Sequence, residues 1–283
     1  MRSLIAPHPP MNPFLSRTKE KRLSYFCTVL ALGFLSSIVH AVTLGQITIA
    51  DPVLGSRLLV FEKKEGFALV EEDLLVGTLS QLSKKRASIL PKLGGGRWPN
   101  KIIPFEFSNE LPAANQVAAL KAMAIWRQQA SIHFIELNDN NRDQYPDYLS
   151  FVPSTMICAS YVGRQKGPQL VVLAPRCHTM TTVHEIGHAL GLWHEQSRAD
   201  RDHYVRILWE NIDPDHRFNF DQHLTDGIDY GDYDYESIMH YSAYAFSNNG
   251  EKTIIPWVDG TDIGQRDHLS KQDIAAVLAM YSE

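Results

Sequence analysis

The sequence predicts an α+β fold in two lobes. Strand and helix patterns crowd the chain up to about residue 190, and the part beyond is rich in loops until a last helical segment. A histidine-rich segment, residues 184–195, lies where the two parts meet. The 283 residues, 44% of them hydrophobic, are enough to bury a sizeable core. We therefore expect an N-terminal lobe of strands and helices, a loop-rich C-terminal lobe, and a site between them.

Strand patterns precede the histidine segment. Apolar or alternating stretches occur at residues 102–107, 133–137, 148–152 and 169–174. Pro104 lacks an N–H group and indicates an edge strand or a bulge in the first of them. The stretch at 169–174 is an apolar run that ends before Pro175.

Three helices are predicted, at residues 111–131, 179–190 and 271–281. Pro112 falls in the first turn of the first helix, where proline is tolerated. The residues of this helix expected near its buried face are Val117, Leu120, Ala124 and Trp126. In the last helix Ser270 is the expected N-cap, with Asp273 three residues further on as its partner in a capping box.

Residues 184–195 read H-E-x-x-H-x-x-G-x-x-H-E. His184 and His188 are four apart and share one helix face. Gly191 can adopt a positive φ and end the helix, so that the chain turns and His194 returns as a third ligand. Three imidazoles with an open position are typical of a catalytic zinc site. With Glu185 placed to hold a water, the pattern predicts a metallopeptidase with one Zn²⁺ ion; the alternative is a core helix that carries histidines by coincidence.

Charge differs between the two ends of the chain. Residues 1–86 carry 11 lysines and arginines against 7 acidic residues, whereas residues 87–283 carry 16 against 25. Nucleic-acid binding needs a basic face. We therefore expect no nucleic-acid partner.

The first 41 residues resemble a signal peptide. Basic residues between positions 17 and 22 precede an apolar run at 23–39, and Val39-His40-Ala41 offers a cleavage site after Ala41. A membrane anchor is the alternative, but a run of about 17 residues is at the low limit for a span. We expect a secreted, extracellular protein (periplasmic in transit) without a stable membrane anchor.

The cysteine count follows from this cleavage. Cys27 would be lost with the signal peptide, which leaves Cys158 and Cys177. An even pair in an exported protein predicts a disulfide. Two buried free thiols are the alternative.

Residues 42–86 are interpreted as a pro-segment. Short apolar runs alternate with charges, and the stretch is too small to fold alone. It ends in Ser83-Lys84-Lys85-Arg86, so we expect an activating protease to cut after Arg86 and release Ala87 as a new N-terminus. A merely solvated basic cluster is the alternative. The remaining domain then covers residues 87–283.

Four segments together resemble the astacin family of zinc endopeptidases, a branch of the metzincins. The zinc motif is followed by Glu195, and residues 194–202 read H-E-Q-S-R-A-D-R-D. A methionine turn reads Ser237-Ile238-Met239-His240-Tyr241. The stretch from Arg97 to Phe105 is similar to the start of the family's mature domain. The resemblance covers about residues 87–283 and implies a metzincin-like, two-lobed α+β peptidase with a mixed, twisted sheet.

The resemblance assigns roles to matching positions. His184, His188 and His194 bind Zn²⁺, and Tyr241 is a further ligand that moves away to stabilise the oxyanion. Glu185 is the general base and acid toward a water activated by zinc, and Met239 supports the metal site. Glu195 lies near the amino group of Ala87 after activation. Cys158 and Cys177 match one of the family's two usual disulfides. Protein or peptide substrates are implied. By family position, the stretch at 169–174 is expected to lie on the rim of the site cleft and to pair there with the peptide; a simple internal strand is the alternative.

The family's pro-segments often block zinc with the aspartate of an F-x-G-D motif. The nearest match is Val76-Gly77-Thr78, with Thr78 in the aspartate position. A hydroxyl is a poor zinc ligand beside a carboxylate, so three alternatives for the blocking group stay open, as does steric cover by the pro-segment: Asp73, Glu72 and Glu71.

Arg266 lies in a stretch that resembles a family segment near the substrate pocket beyond the scissile bond, where it would favour an acidic residue; a plain surface arginine is the alternative.

Two rival classes of protein remain. One is a non-catalytic binding or matrix-associated protein that keeps the fold, which loss of Glu185, a zinc histidine or Tyr241 would favour. The other is a different metzincin, against which the methionine turn counts. All five of these residues are present.

Overall fold

The computed structural model describes residues 42–51, 53–84 and 94–282; the expected signal peptide and the expected cut between Arg86 and Ala87 lie outside this part. The strands are β1 Leu44–Asp51, β2 Gly55–Lys64, β3 Phe67–Val70, β4 Leu74–Thr78, β5 Ile102–Phe107, β6 His133–Glu136, β7 Tyr148–Pro153, β8 Cys158–Ser160, β9 Pro168–Leu173, β10 Val205–Ile207 and β11 Ile254–Pro256. The α-helices are α1 Leu79–Lys84, α2 Ala113–Ala130, α3 Thr179–Leu190 and α4 Lys271–Met280. We call residues 42–84 the leader segment and residues 94–282 the main domain.

One mixed sheet joins the leader segment to the main domain. Its nine strands run in the order β1-β2-β3-β4-β8-β9-β7-β5-β6. The leader strands form an antiparallel meander, and β4 meets β8 in parallel at Leu74 and Ser160. In the main domain β6, β5, β7 and β9 are parallel, whereas β8 is antiparallel to β9. The predicted mixed sheet is therefore present, and the leader extends it.

Two strand predictions need correction. β9 lies between β8 and β7, so residues 169–174 are an internal strand and the rim assignment was wrong; β8 is the outermost of the main-domain strands on that side. β5 is also internal, although it contains Pro104. The ladder to β7 begins only at Phe105, one residue after the proline, so the missing N–H falls before that ladder starts.

α2 packs against α3 through small residues. The indole nitrogen of Trp126 donates to the Val183 carbonyl at 3.0 Å, which fixes the two helices together. Ala119 and Ala122 are fully buried, whereas the predicted core residues Val117 and Leu120 are 50% and 48% exposed. Alanines allow the two helices to approach closely. The helix therefore buries its alanine face, and the prediction that Val117 and Leu120 face the core was wrong.

The leader segment forms an apolar layer with the main domain. Ile49, Phe61, Val70 and Leu74 are buried in a cluster that also contains Val162 and contacts the half-buried Trp193. Leu69 and Leu75 enter a second cluster with Ile157 and Val172. Burial of this surface supports the expectation that the leader does not fold alone.

Beyond α3 the main domain is loop-rich, as predicted, with several short 3₁₀ turns and the β10–β11 ladder. α4 begins with the predicted capping box, in which Ser270 and Asp273 each accept from the other's backbone N–H. A disulfide joins Cys158 of β8 to Cys177 just before α3, with 6.0 Å between their Cα atoms. In the part of the chain that the structure describes, no helix is long and apolar enough to cross a membrane.

Candidate metal centre

α3 presents two of the three predicted histidine ligands. His184 and His188 are buried on one face of the helix, within its predicted bounds. Gly191 has φ 118° and is the C-cap, so the chain turns as the sequence predicts. His194 then lies back against the pair, with ring centroids 5.3 Å from His184 and 4.7 Å from His188. The structure therefore brings the three histidines together.

The outer nitrogens fix the tautomers of these rings. Nδ1 of His184 donates to the Ile238 carbonyl at 2.8 Å, and Nδ1 of His188 donates to the Leu192 carbonyl at 2.8 Å. A carbonyl oxygen can only accept, so each neutral ring carries its hydrogen at Nδ1 and directs the lone pair of Nε2 inward. The two Nε2 atoms lie 3.0 Å apart.

A fourth group, the carboxylate of Asp73, lies among the histidines. Oδ2 is 3.1 Å from Nε2 of His184, and Oδ1 is 3.4 Å from Nε2 of His188 and 3.2 Å from Nε2 of His194. The match to Thr78 was wrong, because Thr78 ends β4 and exchanges hydrogen bonds with Gln81. Of the alternatives that the sequence left open, Asp73 is the one that reaches the inner nitrogens of the histidines.

The sequence motif around Asp73 had been missed because two of its residues are substituted. Val70-Glu71-Glu72-Asp73 fits the F-x-G-D frame, with valine in place of phenylalanine and glutamate in place of glycine. Glu72 has φ 71°, a conformation that glycine adopts readily. A search for an apolar residue three positions before an aspartate, with the glycine relaxed, would have found it.

These groups fit a zinc ion. The four inward atoms lie within 4.8 Å of one another and all four residues are buried. Ligands around tetrahedral zinc at about 2.0–2.1 Å lie roughly 3.3 Å apart, which matches the observed spacings. Asp73 Oδ1 and His194 Nε2 are buried without a hydrogen-bond partner among residues 42–51, 53–84 and 94–282. Three lone pairs and a carboxylate repel one another unless a cation lies between them.

The pKa values of His184 and His194 are shifted in opposite directions. Burial and the charge of Arg266 lower the pKa of His184 to about 3, so its ring is neutral. Burial also acts to lower the pKa of His194, but the charge of Asp73 and the hydrogen bond to Glu71 raise it to about 9. The site therefore favours a cation beside the carboxylates.

Glu185 lies on α3 next to the histidines. It is 1% exposed, and its Oε2 has no partner among the described residues. Burial and the charge of Asp73 raise the pKa of Glu185 well above its ordinary value. A raised carboxyl pKa is what a group needs to take up and return a proton near neutral pH.

The predicted methionine turn passes beneath α3. A Cβ atom at Gly187 would lie 3.0 Å from Sδ of Met239, so the glycine makes room for the turn. The backbone N–H of Tyr241 donates to Oε1 of Gln196 at 2.9 Å. The Tyr241 ring centroid is 4.8 Å from that of His194, and its buried hydroxyl has no partner in the described part of the chain. The turn thus brings Tyr241 to the histidines.

Glu195 and Arg266 also lie near the centre. Oε1 of Glu195 accepts from the Asp234 N–H at 2.7 Å and from Arg198 at 3.3 Å, and burial raises the pKa of Glu195 to about 8. Nη1 of Arg266 donates to the His240 carbonyl at 3.0 Å. Arg266 is half-buried, and its charge acts to lower the pKa of Glu185.

Sequence reasoning missed His223, which belongs to none of the motifs described above. His223 is 8% exposed, and its Nε2 forms a short contact with Glu71 of the leader segment. Its Nδ1 donates to Asp226 at 2.9 Å. No local pattern marks this histidine, because its partner in the leader comes from a distant part of the chain.

The fold and this centre define a zinc metallopeptidase of the three-histidine type. Residues 93–282 match the family model described as Astacin, a peptidase family, so the chain belongs to the astacin family, whose members depend on zinc. The chain is 35% identical to a mouse (Mus musculus) astacin-like metalloendopeptidase over 235 residues, which is 82% of this chain and 52% of the relative.

Two further relatives agree. The zinc metalloproteinase nas-4 of Caenorhabditis elegans is 35% identical over 66% of this chain and 59% of its own length. The solved structure of the hatching enzyme HCE-1, a zinc protease from medaka fish (Oryzias latipes), is 34% identical with a TM-score of 0.60 over 67% of this chain and 94% of that chain. The chain thus spans only about half to three fifths of the length of the mouse and nematode relatives.

Proposed function

We propose that this protein is the latent form of a secreted zinc endopeptidase that hydrolyses peptide bonds of protein or peptide substrates. The observation that carries the proposal is the convergence of three histidine Nε2 atoms on one buried point beside Glu185. Membership of the astacin family supports the same reaction class. The expectations of no nucleic-acid partner and of secretion are retained as parts of this proposal.

Glu185 is the proposed general base and acid. A zinc ion held by the three histidines would act as a Lewis acid that polarises the scissile carbonyl and lowers the pKa of water. Glu185 takes a proton from the attacking water and delivers it to the leaving amine, for which its raised pKa is suited. Tyr241, a phenol that burial keeps neutral by raising its pKa, donates a hydrogen bond to the oxygen that becomes negative.

Latency is assigned to Asp73. Asp73 belongs to the leader segment, and its carboxylate lies beside the inner nitrogens of the histidines. There it would act as a fourth metal ligand and would keep a reacting water and a substrate carbonyl out. Loss of the leader then opens the centre. This assignment makes the leader a pro-segment, residues 42–86, that shuts the site by ligation and not by cover alone.

Activation is proposed to follow a cut after Arg86 by another protease. Glu195 lines a cavity of about 530 Å³ together with Gly94, Gly95, Arg97 and Arg198. The new amino group of Ala87 would enter this cavity and pair with Glu195. A buried carboxyl with a raised pKa is a suitable partner for an incoming cation.

Substrate binding is assigned to two features. Once the leader strand β4 leaves, β8 becomes a free edge that can pair with an extended peptide. The positive charges of Arg266 and Arg176 both act to lower the pKa of Glu72 and the pKa of Glu185. Both guanidinium groups are therefore close enough to the centre to interact with its charges. An acidic side chain after the scissile bond would be favoured by this positive potential.

The test uses the full chain, its processed form after a cut at Arg86, and a quenched peptide. The processed wild type should cleave the peptide, and both a chelator and Glu185→Gln should abolish cleavage, the variant by about 10²–10⁴-fold, while the variant keeps its zinc. Full activity of Glu185→Gln would refute the proposal. The uncut Asp73→Ala chain should gain activity that the uncut wild type lacks; continued latency of that variant would remove Asp73 from this role.

A further inference from the structure

The three histidines differ in what holds their outer nitrogens. His184 and His188 donate from Nδ1 to carbonyl groups of the main domain, Ile238 and Leu192. His194 donates from Nδ1 to Oε2 of Glu71, at 2.8 Å, and Glu71 belongs to the leader segment. Among the described residues Glu71 is the only acceptor within hydrogen-bond distance of this nitrogen. One metal ligand therefore depends on the leader for its orientation.

The Glu71 carboxylate is held firmly at this position. Oε2 also accepts from the Ser197 hydroxyl at 2.9 Å, and Oε1 contacts Nε2 of His223. The backbone N–H of Glu71 donates to Oδ1 of Asn219 at 2.7 Å. Glu71 has φ 47°, which a non-glycine residue keeps only where its surroundings over-determine it.

A second leader residue closes the arrangement from the other side. His223 donates from Nδ1 to Asp226, and Asp226 in turn accepts from Nη2 of Arg57 in β2, at 2.6 Å. The leader thus contacts the His223–Asp226 pair at both ends, through Glu71 at His223 and through Arg57 at Asp226. The whole chain of contacts ends on His194, a metal ligand.

Outer partners of this kind tune metal sites. A carboxylate that accepts the second N–H of a metal-bound histidine fixes the tautomer and the ring orientation and makes the ligating nitrogen more basic. Loss of such a partner typically costs about 10–100-fold in metal affinity. Glu71 has the geometry of this partner, whereas a residue that merely anchors the leader need not touch a ligand.

We propose that Glu71 is a positioning residue for the metal: the leader supplies the outer carboxylate of His194, so that the latent protein holds zinc more tightly than its direct ligands alone would. The inference rests on the proposed latent arrangement, in which the leader is bound over the centre. It gives the leader two separate tasks, since Asp73 acts at Nε2 and Glu71 acts at Nδ1.

The test measures the zinc affinity of the uncut full-length chain by competition with a chelator. Glu71→Gln should weaken zinc binding by about 10–100-fold, and the absorption spectrum of the Co²⁺-substituted protein should change in position or intensity. Glu65→Gln is the matched control: Glu65 is also a leader carboxylate with φ 47°, but it contacts Ser154, Thr155 and the Met156 N–H, away from the histidines. The control should bind zinc within about twofold of the wild type, because it changes no partner of a ligand.

A variant in the main domain controls for the case in which Glu71→Gln disturbs the folding of the leader. Ser197→Ala removes one hydrogen bond to Oε2 of Glu71 and leaves every ligand and the leader sequence intact. It should also weaken zinc binding, by less than Glu71→Gln does. The same measurements in an Asp73→Asn background should give the same ratio, because that background separates the outer carboxylate from the direct one. Wild-type affinity and an unchanged Co²⁺ spectrum in both Glu71→Gln and Ser197→Ala would overturn the proposal.

The outcome is independent of catalysis. Zinc affinity is read in the uncut chain, where no peptide is turned over. If the processed wild type fails to cleave peptides but Glu71→Gln still loses affinity, the proposed function fails and the positioning role stands. If peptides are cleaved and affinity is unchanged, only the positioning role fails.

Discussion

At the residue scale, two carboxylates separated by a single residue, Glu71 and Asp73, contact the metal centre from the same turn of the leader. Glu71 reaches the outer nitrogen of His194, and Asp73 reaches the inner nitrogens of all three histidines. Glu72 stands between them with φ 71°. Its left-handed backbone turns the chain sharply, so both neighbours can face the centre.

Tyr241 permits a prediction at this scale. Tyr241→Phe should lower the turnover of the processed enzyme by about 10²–10³-fold, because one donor to the developing negative oxygen is lost. Zinc content should stay at the wild-type level, since His184, His188 and His194 remain. Steady-state kinetics with metal analysis measures both. Tyr244→Phe, at an exposed tyrosine nearby, is the control and should leave turnover unchanged; wild-type turnover in Tyr241→Phe would contradict the assigned role.

At the element scale, the methionine turn is held by the last helix. The Asp273 carboxylate that caps α4 also accepts from the Ser237 hydroxyl at 2.6 Å and from the Ile238 N–H at 3.0 Å. The Ile238 carbonyl then accepts from Nδ1 of His184. A capping residue near the C-terminus is thereby connected to a metal ligand in α3.

Asp273→Ala should destabilise the protein by about 3 kcal/mol, because buried donors lose their acceptor. The free energy of unfolding in urea measures this change. Asp267→Ala, at an exposed aspartate in the preceding loop, should change it by less than about 0.5 kcal/mol. Equal effects of the two substitutions would mean that Asp273 stabilises neither the start of α4 nor the turn.

Gly264 permits a second prediction for the same region. A Cβ atom at Gly264 would lie 2.3 Å from the Cα atom of Ser242, directly after Tyr241. Gly250 has nearly the same φ, 81° against 83°, but no described residue other than its chain neighbours has an atom within 4 Å of its Cβ position. Both alanine substitutions carry the strain of a positive φ, about 1–2 kcal/mol.

Only Gly264→Ala should add a collision with backbone, so its loss of stability should exceed that of Gly250→Ala by at least about 2 kcal/mol. Urea denaturation of the two variants measures the difference directly. Similar losses would show that the segment near Ser242 can move aside at little cost.

At the scale of the whole molecule, His223 of the main domain contacts the leader segment, and we expect it to make the stability of the uncut chain depend on pH. Burial acts to lower the pKa of His223, but the charge of Glu71 and the bonds to Asp226 and Glu71 raise it to about 9. Its ring also contacts that of Trp193, with centroids 3.9 Å apart and the planes tilted by 37°. The charged groups around it are Glu71, Asp221, Asp226 and Arg57.

Between about pH 6.5 and 9 the folded chain holds a proton on His223 that the unfolded chain has released, so stability falls as pH rises. The contribution, up to about 3 kcal/mol, is complete below about pH 6.5 and is lost as pH passes through about 9. Urea unfolding of the uncut chain across this range measures it. His223→Gln should flatten the decline, and an equally steep decline in the variant would rule out His223 as its cause.

Local patterns were enough to predict much of the centre before any tertiary contact was known. The bounds of α3, the turn at Gly191 and the capping box of α4 follow from interactions within one turn of chain, so the sequence encodes them directly. The predicted disulfide between Cys158 and Cys177 is also present. Helix α2 was located correctly, but its buried face was not, since alanine carries little hydrophobic signal.

The sequence by itself determined the chemistry: three histidines, Glu185 and the methionine turn specify a zinc peptidase because their spacing satisfies a metal through helix and turn geometry. Tertiary structure alone decided which groups complete that chemistry. The contacts of Asp73 and Glu71 with His184, His194 and His223 each join residues more than 100 positions apart, and no local period encodes such contacts. Strand order decided the rest, because whether β9 or β8 borders the leader depends on long-range pairing.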